Sequence, residues 1–225
     1  MNRTKTQFQD ARDPDIWLNL FNGKEFPVRI SRVVHGDNGT TTTYGKVMNA
    51  IASQVILVAK DDVLSGSVFA HGHETTRIIY AGDGVHTIAE IDPATSPRCA
   101  GEAVLVPGAV PTGSFVPRTA GDGEAVIDLM VVYTAAARIG AGGTTAMQTL
   151  IDLAVAESNI YANSGVDVEL RLVHRSEVTY TESGSASTDL TRLQASGDGQ
   201  LDSVLTLRTN YGADVVILIT ESMAT

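Results

Sequence analysis

The stretch from Asp92 to Glu124 constrains the fold of this chain most, because five of the seven prolines lie inside it (Pro93, Pro97, Pro107, Pro111, Pro117). Gly101, Gly108, Gly113, Gly121 and Gly123 are interspersed among them. Proline removes a backbone donor and fixes φ, while glycine raises the entropy cost of any regular element. Neither a helical nor a strand period survives such a composition, which predicts an extended linker over residues 92–124. The linker separates a region 1–91 from a region 125–225, and a chain of 225 residues is long enough to give each its own core.

The first region reads as an antiparallel meander. Gln54–Lys60, Val63–Ala70, Thr75–Tyr80 and Val85–Ile91 are short and rich in β-formers. Asp61-Asp62, His71-Gly72-His73 and Gly82-Asp83-Gly84 separate them as tight turns. Trp17–Val34 is expected to add one or two edge strands, with no helix of consequence.

After the linker the pattern changes to strand–helix–strand–helix–strand. Val126–Tyr133 is a short apolar strand. A helix is expected from about Thr145, where Thr145 and Gln148 have the spacing of a capping box. Met147, Leu150, Ile151, Ala154 and Tyr161 continue its apolar face, and Gly165 closes it. Val166, Val168, Leu170 and Leu172 alternate with Asp167, Glu169 and Arg171, the mark of a half-exposed strand. Thr188–Ala195 and Gln200–Tyr211 are helical, the second ending at Gly212, and Ala213–Ile219 reads as a buried parallel strand. Two successive β-α-β units imply a parallel sheet with right-handed crossovers. The fold class is therefore a β-rich region followed by an α/β region of βαβαβ type. That sheet is expected to be incomplete, since the sequence given stops shortly after the last strand.

Composition narrows the function. A formal charge of -10 argues against a nucleic-acid backbone as partner, since phosphate binding takes clustered Lys and Arg. No apolar run reaches the roughly 18 residues of a membrane-spanning helix. The opening MNRTKTQFQDARD has no apolar core of a secretory signal, and the single cysteine, Cys99, forms no disulfide within the chain.

Candidate chemistry is sparse. His73-Glu74-Thr75-Thr76-Arg77 begins like a zinc-protease motif, but an arginine stands where the second histidine belongs, and the segment falls at a hairpin turn. His35, His86 and His174 have no ligand spacing with each other. Gly140-Ala141-Gly142-Gly143 lies too far from the preceding strand for a dinucleotide fingerprint and reads as a helix lead-in. Asp214 and Glu221 flank the last strand and read as solvated carboxylates, and Ser183–Ser187 as a loop. Cys99, in Ser96-Pro97-Arg98-Cys99-Ala100, has two readings. It is an inert loop cysteine, or a thiolate on a tether able to fill the open position of a catalytic zinc.

Several ordered blocks resemble a known family. Ile127–Ala137 resembles the first strand of metzincin catalytic domains, particularly the bacterial reprolysin-like and peptidyl-Asp metalloendopeptidase groups. Met147–Ser164, Val166–His174 and Tyr211–Ile219 resemble their first helix, second strand and third strand. Gln54–Val58, Leu64–Val68, Gly82–His86 and Glu90–Asp92 resemble the β-rich propeptide of the same precursors. The resemblance implies secretion, polypeptide substrates, a contact between propeptide and catalytic domain, and a Zn²⁺ held by H-E-x-x-H-x-x-G-x-x-H with glutamate as general base. None of those ligands is in this sequence, so the chain is expected to be a precursor fragment without activity of its own. Pro97-Arg98-Cys99 matches the heart of a cysteine switch, although Ala100 stands where glycine is usual. Arg118-Thr119 is the expected activation cut. The rival readings are a non-enzymatic α/β binding module and a nucleotide-using enzyme built on the glycine loop.

Overall fold

The computed structural model describes residues 14–23, 25–92, 125–160 and 168–221. The first part is a seven-stranded antiparallel sheet whose strands are ordered as in the sequence: β1 (Ile16–Asn19), β2 (Glu25–His35), β3 (Thr41–Val47), β4 (Ser53–Lys60), β5 (Val63–Ala70), β6 (Thr75–Gly82) and β7 (Val85–Ile91). The expected meander is present, with β1 and β2 falling where Trp17–Val34 was expected to add edge strands. Asp61 and Asp83 take positive φ in the tight turns after β4 and β6, where the left-handed region suits Asp better than most side chains. β3, which the sequence reading did not delimit, is a run of threonines with Gly45 in its middle. A Cβ at Gly45 would stand 2.8 Å from the Arg29 carbonyl oxygen, so the close approach of β2 and β3 requires glycine there. One face of this sheet is closed by Val28, Val47, Val55, Val68 and Ala70.

The second part is a three-stranded parallel sheet of order β10-β8-β9, formed by β8 (Ala125–Thr134), β9 (Val168–Val178) and β10 (Val215–Ile219). Between them run α1 (Ala135–Gly140), α2 (Thr144–Ser158), α3 (Ala186–Gln194) and α4 (Asp202–Tyr211). β8 is the central strand, and its residues from Leu129 to Thr134 are all buried. Met130 and Val132 face a core shared with Leu193, Leu201 and Val204. Leu129, Val131 and Tyr133 face the other side, against Ala137, Met147 and Ile151. A strand covered on both faces reads as a continuous apolar run, as this one does.

Two expectations are corrected here. Thr145 and Gln148 do not form a capping box: α2 begins at Thr144 with Gly143 as its N-cap, and no side chain caps it. Gln148 is drawn off instead to accept a hydrogen bond from Lys60 Nζ at 2.9 Å. The strand Val215–Ile219 is an edge, with Val215 and Ile217 each 44% exposed, so its apolar sequence does not mean burial on both faces. The short helix α1 was not foreseen; it starts where Thr134 Oγ1 accepts a bond from the Ala137 N–H at 3.0 Å, a side-chain cap followed by three alanines. Gly212 ends α4 in the left-handed conformation, as its position predicts. Tyr161, Gly165 and Val166 lie outside the described residues.

Candidate functional site: a helix shared by two sheets

Helix α2 joins the two sheets. Its sequence, TTAMQTLIDLAVAES, has no clean polar stripe, and the reason is that it is buried on two sides. Met147 and Ile151 pack on Leu129, Val131 and Tyr133 of the parallel sheet. On another side, Leu153 and Ala156 pack on Ile56 and Val58 of β4, with Tyr44 and Ile160 at the margin.

Polar groups tie the second contact at several points. At its centre the hydroxyls of Ser65 and Thr149 are 2.8 Å apart, and both residues are inaccessible to solvent. Thr149 Oγ1 donates to the Ala146 carbonyl at 2.9 Å, which leaves Ser65 to donate to Thr149. The proton of each hydroxyl thus has an acceptor, as burial demands. Around this centre lie Lys60 bonded to Gln148, Asn38 donating to Asp152 at 3.3 Å, and an Arg77–Glu157 ion pair of 2.8 Å. Asp152 is also paired with Arg175 of β9, so one carboxylate touches both sheets.

The glycines before α2 belong to the same contact. Gly142 and Gly143 have φ of 91° and 120°, and a Cβ at Gly142 would meet Tyr80 Cδ1 at 3.0 Å. The segment Gly140–Gly143 therefore seats the start of α2 against β6, which accounts for Gly142 without a phosphate.

Carboxylates gather at the C-terminal ends of the parallel strands. Thr134 Oγ1 donates to Glu182 Oε1, which also accepts from the Glu221 N–H at 2.9 Å. A Cβ at Gly140 would fall 2.0 Å from the Glu221 carboxylate, so α1 passes close beneath it. At the opposite end Asp214 accepts from the Asp128 N–H at 2.9 Å, and Arg171 clamps Asp128 through two hydrogen bonds. The Arg171 hydrogen bonds hold the Asp128 carboxyl below the usual range. Asp189 is buried; burial pushes its carboxyl up, but hydrogen bonds from Ser183 and Tyr180 and the charge of Arg192 bring it below the usual value.

Four of the five histidines make side-chain contacts of their own. His86 Nε2 accepts from the Leu64 N–H at 2.9 Å, His73 meets Phe26 edge-on, and His35 bonds Thr41. His174 stacks on Tyr211 with ring centroids 3.9 Å apart, and burial lowers its pKa. Among the described residues no group of three His, Cys, Asp or Glu side chains is placed to hold a metal ion. Nor is any described helix long and apolar enough to cross a membrane. Cys99, Arg118 and Thr119 lie outside the described residues.

Comparison with known proteins supplies what the geometry leaves open. A peptidyl-Asp metalloendopeptidase of Stenotrophomonas maltophilia (strain R551-3) is 36% identical over 172 residues, covering 74% of this chain and 40% of that protein. The protein of the same name from strain K279a is 34% identical over 177 residues, 76% of this chain and 42% of that one. A third, from Xanthomonas campestris pv. campestris, is 34% identical over 172 residues. The chain is related to metallopeptidases.

A metallopeptidase relative of this kind spans only about 40% of the length of the curated proteins it matches. No family model matches the chain. Among solved structures, a chain in "Structure of a chaperone-substrate complex" aligns with a TM-score of 0.38 at 16% identity, over 71% of this chain and 23% of that one, too low to define a shared fold.

What the sequence reading missed is the second buried side of α2. The signal was there, since Thr149, Leu153 and Ala156 leave the helix with no exposed stripe to oppose Met147 and Ile151.

Proposed function

We propose that this chain is the N-terminal part of a secreted zinc metalloendopeptidase precursor. Residues 1–91 form its β-rich propeptide domain, 92–124 the activation linker, and 125–225 the N-terminal half of a metzincin-like catalytic domain. The observation that supports this reading is the match to peptidyl-Asp metalloendopeptidases over about three quarters of the chain. The parent hydrolyses peptide bonds with zinc-activated water, the zinc ligands being supplied by sequence outside these 225 residues. Its substrates are polypeptides, cut beside acidic residues if the relatives' name transfers.

In this reading the face of β4 and β5 on α2 is the contact between propeptide and catalytic domain. Arg118-Thr119 is the activation cut, and Cys99 is a candidate inhibitory ligand of the zinc. The half-exposed edge strand β10 is where the rest of the catalytic sheet adds on, which fits an open apolar edge better than a finished one does.

The test is a comparison of two proteins. The 225-residue chain should neither be stabilised by zinc nor hydrolyse casein. The longer product of the same reading frame should hydrolyse it and lose that activity to a chelator. Chelator-insensitive hydrolysis by the longer product would overturn the reading.

A further inference from the structure

We infer that the antiparallel sheet is a noncovalent partner of helix α2, held by its own face, so that it stays seated after the chain is cut between residues 92 and 125. The contact has the anatomy of an association interface rather than of two parts merely tethered. Leu153 and Ala156 against Ile56 and Val58 make an apolar centre, all four of them buried. The Ser65–Thr149 hydroxyl pair lies buried alongside. The polar rim is complementary along the helix: Lys60 on Gln148 near its start, Asn38 on Asp152 in its middle, and Arg77 on Glu157 near its end. Tyr80 against Gly142 extends the contact past the helix N-terminus.

Separation would leave Leu153, Ala156, Ile56 and Val58 facing water and strip both buried hydroxyls of their mutual bond. Each of those changes opposes release. The binding stands on these contacts alone, whereas its meaning for latency rests on the propeptide reading. On that reading, one cut in the linker gives a two-chain complex, and exposing α2 takes a second event that removes or degrades the sheet.

The experiment uses the full chain with a specific protease recognition sequence inserted between residues 108 and 109. After complete cutting, the two fragments should co-elute in size-exclusion chromatography and separate only on dilution or in denaturant. Arg77→Glu faces Glu157 with a like charge and should weaken the complex about fivefold. Combining it with Glu157→Arg should restore the affinity, which a mere folding defect would not do. Separate elution of the wild-type fragments, or precipitation of either on cutting, overturns the inference, as does failure of the charge swap to restore binding. Those outcomes leave the precursor reading standing. A reading frame without zinc ligands would overturn that reading while leaving the two-fragment complex intact.

Discussion

Ser65 of β5 and Thr149 of α2 stand 84 positions apart in sequence and share a 2.8 Å hydrogen bond between hydroxyls that solvent does not reach. Thr149→Val removes the acceptor but keeps the shape, so the Ser65 hydroxyl is left buried without its partner. The expected loss is about 1–3 kcal/mol in urea unfolding. Adding Ser65→Ala should recover part of it, because both polar groups are then gone. Additive losses in the double variant would contradict the pairing.

Leu153 is 2% exposed between α2 and β4. Leu153→Ala should cost about 2–5 kcal/mol through lost burial and the cavity it leaves. Leu190→Ala, at a position 52% exposed on α3, should cost less than about 0.5 kcal/mol. Chemical denaturation of the two variants side by side checks the difference.

Gly142 and Gly72 have similar φ, 91° and 84°, but different surroundings. A Cβ at Gly72 meets nothing within 4 Å, whereas one at Gly142 crowds Tyr80. Both alanine variants incur backbone strain of about 1 kcal/mol. Gly142→Ala should show a larger drop in Tm, the excess reporting displacement of Tyr80. Equal drops would mean that Tyr80 does not hold the loop.

Asp189 sets an acid limb of stability. Its folded pKa lies below the ordinary 3.8, since Ser183, Tyr180 and Arg192 outweigh the opposing effect of burial. A depressed carboxyl contributes stability that is fully present above the unfolded value and is lost as pH falls through the folded one. The loss therefore begins near pH 3.8 and continues below it. Asp189→Asn should be less stable at neutral pH and should flatten the stability profile over that acid window. An unchanged slope between wild type and variant would refute the assignment.

How much of this was legible beforehand follows from where each signal resides. β4 and β5 announce themselves through β-branched runs broken by Asp61-Asp62, a turn whose first residue takes positive φ. β3 hides because Thr41–Thr43 and Gly45 carry little apolar signal, and its glycine answers to the Arg29 carbonyl across the strand pair. Gln148 misleads for a similar reason. Its spacing from Thr145 suits a local cap, yet its side chain serves Lys60 from another sheet. Local rules found the elements, then, while the joint between the sheets depends on partners tens of residues away that no local window contains. Val215 and Ile217 show the converse case, apolar residues whose burial depends on neighbours that the described sheet does not supply.

The measurement that tests the account most directly is the DNA sequence of the source gene through and beyond the codon for Thr225. The account predicts that the frame continues into a helix carrying H-E-x-x-H-x-x-G-x-x-H, the ligand set absent from these 225 residues. A stop codon directly after Thr225 would contradict it.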